Sequence, residues 1–229
     1  MNKQEILDMF KNCYFLDGEL TEADWYSNIA VPLRHAGMSF DSDDGATKCV
    51  ILPHGANYVF KIPYNGTISE SEQWDEEAEE WYYENGVFFP FEGAVYGYKK
   101  QYWDYCYSEL IIYNKARAKR VEKFFCKTRL FGRVDGHPIY IQERATSIGP
   151  DWSHSSKEER ESTEKFCEEH NVMSFNAQWQ TDAINYYGEK RFLEFMKFLE
   201  EEHISDLHCG NIGYVGDRPV LLDFASFWD

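Results

Sequence analysis

Ser205-Asp206-Leu207-His208-Cys209-Gly210-Asn211 is the most specific segment of this sequence. It follows a stretch, 190–202, whose apolar residues recur at the spacing of one helix face. Twelve residues after Asn211 comes Asp223, at the end of a short apolar run. The residues between them predict a hairpin, because a turn-forming segment separates two short apolar stretches. We therefore expect a loop to present Asp206 and Asn211, and a hairpin to return Asp223 across from them.

These three polar side chains suit phosphoryl transfer from a nucleotide. That reaction needs a carboxylate that orients the attacking hydroxyl or accepts its proton, and it needs oxygen ligands for magnesium. We interpret Asp206 as the catalytic base, and Asn211 and Asp223 as ligands of Mg²⁺.

The same residues resemble the protein-kinase-like superfamily. The Asp-Leu-His-x-Gly-Asn form at 206–211 is closest in style to aminoglycoside and choline phosphotransferases and related small kinases. Asp206 and Asn211 keep the five-residue separation of the family, and Asp223-Phe224-Ala225 is similar to its Asp-Phe-Gly position. The resemblance implies a two-lobed kinase-like fold, with an antiparallel sheet in the N-terminal lobe and a minimal helical C-terminal lobe. It also implies ATP and Mg²⁺ as cofactors.

The upstream half carries a second part of the resemblance. Val59-Phe60-Lys61-Ile62 resembles the Val-Ala-Ile-Lys strand of the family, which implies that Lys61 grips the nucleotide phosphates and acts in catalysis. Glu109 lies on the apolar face of a helix predicted over 105–119, where a carboxylate needs a partner, and the resemblance pairs it with Lys61. Taken alone, Lys61 also fits an edge-strand lysine, and Glu109 a surface carboxylate.

Two further segments are expected to contact the nucleotide. The turn that would cover the phosphates lies just before the strand that starts at Lys48, and its backbone amides are candidate phosphate ligands, although an ordinary acidic turn fits the same residues. The segment after the second predicted hairpin resembles the hinge that meets the adenine ring, with a plain strand-to-helix connection as the alternative. The candidate residues in these two segments are Gly45, Ala46 and Thr47 in the turn, and Gln142, Glu143 and Ala145 in the hinge.

The sequence departs from the family pattern near its end. Ile204 and Ser205 stand where protein kinases have His-Arg before the catalytic aspartate, so control by a phosphorylated activation segment is not expected. The sequence ends at Asp229, six residues after Asp223, so we expect a form truncated after the Asp-Phe-Gly-like position, without a standard peptide-binding groove.

The order of the expected elements is strands, a helix, more strands, then helices and a terminal hairpin, which indicates an α+β fold. Two strands are expected within 48–62, and a second hairpin is centred on Asp135-Gly136, a strong two-residue turn signal. We divide the chain into an N-terminal helical extension over 1–38, a kinase-like N-terminal lobe over 39–145, and a minimal C-terminal lobe over 146–229. The insertion 65–101 is acidic and aromatic, and its charge run is expected to form a solvated face or an exposed loop.

Composition narrows the possible partners. The chain has 40 acidic and 23 basic residues, a formal net charge of −17, which repels phosphate backbones and disfavours binding to nucleic acid. Its six cysteines form no C-x-x-C pair, so we expect reduced thiols in a cytoplasmic protein. No signal peptide and no membrane-spanning segment are expected.

Three functions follow as hypotheses. The first is an ATP-dependent phosphotransferase that acts on a hydroxyl of a small molecule or a protein. The second is a pseudokinase that keeps the fold, and with it nucleotide binding, but acts by binding a partner. The third is an acidic protein that mimics nucleic acid and captures a basic partner.

Overall fold

The computed structural model of this chain describes residues 2–15, 24–45, 47–64, 67–75, 80–88, 105–148 and 156–225. The helices are α1 (Lys3–Phe10), α2 (Val31–His35), α3 (Tyr105–Lys119), α4 (Lys157–His170), α5 (Ala177–Tyr187) and α6 (Glu189–Glu201), with a π-helical turn over Tyr26–Ala30 and a 3-10 turn over Glu122–Phe124. The strands are β1 (Phe40–Asp44), β2 (Lys48–Pro53), β3 (Tyr58–Pro63), β4 (Thr67–Asp75), β5 (Glu80–Phe88), β6 (Thr128–Val134), β7 (His137–Glu143), β8 (Thr146–Ser147), β9 (Ile212–Val215) and β10 (Arg218–Leu221). The expected α+β class is confirmed.

The chain divides into two units. The first comprises Met1–Tyr107 and Leu130–Ile141, and the second comprises Ser108–Arg129 and Gln142–Asp229. The boundaries expected after residues 38 and 145 do not coincide with the boundaries of these two units. Residues of α1 are part of the same buried core as the strands of the first unit, and most of α3 shares the core of the second unit.

The first unit is built on a five-stranded sheet with the order β1-β2-β3-β7-β6. The predicted hairpin at Asp135-Gly136 is confirmed: it joins β6 to β7, and both turn residues have positive φ angles, of 49° and 85°. Alternate residues of β2 and β3 point into the core of this unit, where they meet α1, the π-helical turn and α2. The core-facing residues of these two strands are Cys49, Ile51, Phe60 and Ile62.

The insertion 65–101 contains a two-stranded antiparallel ribbon, β4 paired with β5 from Thr67 opposite Phe88 to Asp75 opposite Glu80. The charge run spans 75–80, and its two end residues, Asp75 and Glu80, lie in β4 and β5. The middle of that run, 76–79, lies outside the described residues.

The second unit packs helices against a small sheet of order β10-β9-β8. The apolar stripe predicted on α6 is confirmed, since Phe192, Phe195, Met196 and Leu199 are all buried in its core. α4 begins with a capping box between Ser156 and Glu159, which fixes its start. Within the described ranges, no helix is both long enough and apolar enough to cross a bilayer.

Candidate active site

The loop after α6 is held by alternating buried and exposed side chains. His203 ends the helix in the left-handed conformation, with a φ angle of 54°, and the amide of Ile204 donates to the carbonyl of Leu199 at 2.9 Å. Ile204 and Leu207 are buried, whereas Asp206 is exposed, with 63% of its side chain accessible. Two apolar anchors therefore fix a loop whose carboxylate faces solvent.

A hydrogen bond within the loop ties Asn211 to Asp206. The Nδ2 of Asn211 donates to the backbone carbonyl of Asp206 at 2.9 Å, and Asn211 is only 9% exposed. Because Nδ2 is the amide's donor end, this bond directs the Oδ1 of Asn211 away from the Asp206 carbonyl. That oxygen is the atom with which an asparagine ligates a magnesium ion.

The β9–β10 hairpin brings Asp223 back to Asn211. Ile212 of β9 is paired with Leu221 of β10, and one step further out the amide of Leu222 donates to the carbonyl of Asn211 at 2.8 Å. Asp223 is the next residue, half-buried, with its Oδ1 atom inside the protein surface. The hairpin thus brings Asn211 and Asp223 to one end, and the side chain of Asn211 ties the Asp206 loop to that end.

Phe224 and Ala225, directly after Asp223, are both buried. The Phe224 ring packs edge-on against Phe125 at 4.9 Å between ring centroids. The Asp-Phe-Ala segment is therefore held in the core of the second unit on the C-terminal side of the aspartate.

His208 shapes the loop beside Asp206. The amide of Gly210 donates to Nδ1 of His208 at 3.0 Å, so the neutral ring carries its proton on Nε2. Nε2 lies 3.7 Å from Oδ1 of Asp206, longer than a hydrogen bond. A Cβ atom at position 210 would lie 2.8 Å from Cε1 of His208, so a glycine allows this close approach.

The donor set at this end of the hairpin fits magnesium. It offers one amide oxygen and one carboxylate, and Mg²⁺ is commonly bound by one or two carboxylates together with waters and substrate phosphates. Among the described residues, no group of three or more His, Cys, Asp or Glu side chains is arranged to hold a metal ion. A magnesium ion bound here would therefore need further ligands from water or from a substrate phosphate.

Lys61 lies in the first unit, on β3, and is 4% exposed. Its neighbours Phe60 and Ile62 point into the core, so Lys61 lies on the other face of the sheet. Its assignment to phosphates stays a prediction.

Lys48 is a second buried lysine on that face, and the sequence reasoning missed it as a candidate. Val50 is paired with Lys61, and Lys48 precedes Val50 by two residues, which places Lys48 and Lys61 on the same face of the sheet. Lys48 is 5% exposed, and its Nζ lies 4.3 Å from the ring centroid of Tyr105. Its position beside Lys61 follows from the strand register, which the sequence alone does not show.

Glu109 is fully buried on α3 and accepts a hydrogen bond from Nε2 of Gln142 at 3.3 Å. Gln142 also donates to Oγ1 of Thr128 at 2.8 Å. The expected need of Glu109 for a polar partner is thus met within the second unit, and its pairing with Lys61 stays a prediction.

The other candidate nucleotide contacts lie in two connections. Gly45 and Thr47 lie between β1 and β2, where the Gly45 amide donates to the Lys48 carbonyl at 3.0 Å, and Ala46 lies outside the described residues. β1 ends at Asp44 and β2 begins at Lys48, so three residues connect the two strands.

Glu143 ends β7, and Ala145 lies half-buried between β7 and β8. The Glu143 amide donates to the Lys127 carbonyl at 2.9 Å, and its carboxylate pairs with Arg218. The hinge assignment of Gln142, Glu143 and Ala145 stays a prediction.

Comparison of the chain with protein-family models, with curated proteins and with solved structures gives no significant match. The kinase-like resemblance therefore rests on the motif residues and on the way that the second unit arranges three of them.

Proposed function

We propose that this chain is an ATP-dependent phosphotransferase that uses Mg²⁺ and acts on a hydroxyl group. One observation carries the proposal: Asn211 connects the loop and the hairpin, since its side chain binds the Asp206 backbone and its own carbonyl binds the amide next to Asp223. An exposed carboxylate and two side chains with oxygen ligands for a metal ion then belong to one connected segment. Phosphoryl transfer uses both kinds of group.

The proposed roles follow from exposure and donor type. Asp206, exposed, accepts the proton of the acceptor hydroxyl as its oxygen bonds to the γ-phosphorus, while the bond from that phosphorus to the β–γ bridging oxygen breaks and ADP leaves. Asn211 and Asp223, less exposed, hold the magnesium ion, which when bound neutralises charge on the phosphates.

Lys61 and Glu109 would position the phosphates, and the segments around Thr47 and Ala145 would contact the nucleotide; these roles rest on the resemblance alone. The acceptor is a small molecule or a protein. A cytoplasmic location is part of this proposal, and it agrees with six cysteines that form no disulfide bond.

The test combines nucleotide binding with turnover. Wild type should be stabilised by ATP with magnesium, by about 2.7 kcal/mol at a ligand concentration 100 times the Kd. Asp223→Asn should lose the magnesium-dependent part of this stabilisation. Asp206→Asn should keep it but lower ATP turnover by roughly 100-fold or more, the usual contribution of a positioned acid or base.

Asp217→Asn is the matched control, because Asp217 is an exposed aspartate in the turn of the same hairpin and the substitution changes the charge equally. It should leave binding and turnover unchanged. Nucleotide binding without turnover would instead support a pseudokinase. Absence of nucleotide binding, together with salt-sensitive capture of a basic protein, would support the acidic mimic.

A further inference from the structure

A basic pocket of about 820 Å³ lies in the second unit; β10 and Glu143 contribute to its lining, but Asp206, Asn211 and Asp223 do not. Its walls come from the end of α3, the 3-10 turn, the α5–α6 connection and β10, and all of its lining residues belong to this one unit. The basic residues that line it are Arg120, Lys123, Lys127, Arg191 and Arg218.

The charge of this pocket is opposite to that of the whole chain. Five basic residues line it against two acidic ones, Glu122 and Glu143, whereas the chain has 23 basic and 40 acidic residues. A concave surface lined by one sign of charge concentrates counter-ions of the other sign. Such a reversal marks the pocket as a place for an anion on a protein that otherwise repels anions.

One acidic residue of the pocket is already neutralised. Arg218 pairs with Glu143, and its Nη1 also donates to the carbonyl of Lys123 at 2.6 Å. This half-buried pair forms part of the wall. Arg191 also has an acidic partner, since its Nη1 lies 3.0 Å from Oε2 of Glu194. Glu194 itself does not line the pocket.

Three cations of the pocket remain available for a ligand. Arg120, Lys123 and Lys127 are exposed, and within the described part of the chain no carboxylate lies within ion-pair distance of them. They outnumber Glu122, the remaining acidic group of the lining. The pocket therefore keeps an excess of positive charge that ion pairs within the described residues do not neutralise.

Arg120 occupies a backbone position that favours glycine. Its φ angle is 63°, and the amide of Val121 donates to the carbonyl of Ala116 at 2.9 Å, the bond that closes a helix through a left-handed residue. An arginine in this conformation is strained, and strained residues cluster at functional sites. The position also offers a variant, Arg120→Gly, that removes the charge while relaxing the backbone.

We propose that this basic pocket binds a compact organic anion with at least two phosphate groups. Several separated cations match more than one phosphate, and the volume is in the range of small-molecule sites. Tyr186, 54% exposed in the lining, supplies an aromatic surface for the organic part. A nucleic acid is disfavoured because the net charge of −17 repels a long phosphate backbone.

Titration calorimetry with inositol hexakisphosphate at 0.15 M salt, without magnesium, tests the proposal. Wild type should bind with one site per chain. Lys123→Gln with Lys127→Gln should weaken binding at least tenfold, and Arg120→Gly should weaken it several-fold while the protein remains folded. The matched control is Lys157→Gln with Lys165→Gln, which removes two exposed lysines of α4 and should change the affinity less than twofold.

Asp223→Asn should bind this probe as wild type does, which separates the pocket from the proposed nucleotide site. The proposal fails if wild type does not bind the probe, or if the α4 control weakens binding as much as the pocket variants. It also fails if poly-glutamate competes for the pocket more strongly than the phosphorylated probe, because an acidic peptide is then the ligand.

Discussion

His137 at the start of β7 is a buried histidine in the first unit. Its ring stacks on Phe15 at 4.7 Å between centroids, and the residue is 7% exposed. Burial lowers the pKa of His137 to about 4, against a smaller opposing effect of a hydrogen bond to the Pro63 backbone, and the charge of Arg133 lowers it further. The folded protein therefore holds this ring neutral where an unfolded chain would protonate it.

The protein should lose stability between pH 6.5 and pH 4 because of His137. Above pH 6.5 the His137 ring is neutral in both the folded and the unfolded state. Between pH 6.5 and about pH 4 the unfolded chain binds a proton at this ring and the folded protein does not, so lowering the pH favours unfolding. At pH 5 the loss amounts to about 2 kcal/mol relative to pH 7.5. Urea unfolding at these two pH values should show that His137→Phe removes most of this difference.

His35→Gln is the control for that measurement, since His35 is an exposed histidine at the end of α2. It should leave the pH dependence intact. An unchanged pH dependence in His137→Phe would mean that other groups cause the loss.

At the residue scale, the sequence predicts the Asp206, Asn211 and Asp223 set because the set is local. One loop and one hairpin of fixed length determine which residues meet, and both can be recognised from apolar spacing and turn residues. Lys48 was missed because its position depends on the register between two strands, and a single sequence does not show that register.

At the scale of the elements, the sequence predicts the helices and strands whose apolar residues recur regularly. It misses elements that depend on hydrogen bonds to other parts of the chain. α3, α6 and the β6–β7 hairpin follow from their patterns. β1 was missed because its sequence, Phe-Asp-Ser-Asp-Asp, has one buried residue, and its place as an edge strand comes from hydrogen bonds to β2. α5 was missed because it buries Gln180, whose amide is satisfied by the backbone of Met173 and Phe175.

The pairing of β8 with β9 depends on Gly213. A Cβ atom there would lie 2.1 Å from the carbonyl oxygen of Thr146 and 2.8 Å from its carbonyl carbon. Because these are backbone atoms, Gly213→Ala must push the two strands apart. We expect it to cost roughly 1–3 kcal/mol or more in unfolding free energy, as overpacking does.

Gly210→Ala is a matched comparison for that measurement by urea unfolding. Its Cβ would meet the exposed ring of His208, which can move away, so the loss should stay below about 1 kcal/mol. Equal costs at the two glycines would contradict the view that Gly213 is required by backbone contact.

In the whole molecule, the candidate nucleotide-binding residues are divided between the two units. Asp206, Asn211 and Asp223 all belong to the second unit, so their arrangement is fixed by local structure. Lys61 belongs to the first unit, and its role comes from the resemblance to the Val-Ala-Ile-Lys strand. A functional measurement must therefore decide whether both units serve one ligand.

Lys61→Met provides that measurement. If Lys61 binds the phosphates of the nucleotide, the substitution should reduce the stabilisation that ATP and magnesium give to the folded protein. Lys48→Met is the control for loss of a buried lysine on the same sheet face. Because both lysines are buried, each substitution is expected to change the stability without ligand, so stabilisation should be compared relative to each variant's own unliganded midpoint. If ATP and magnesium stabilise Lys61→Met as much as wild type, Lys61 does not bind this nucleotide.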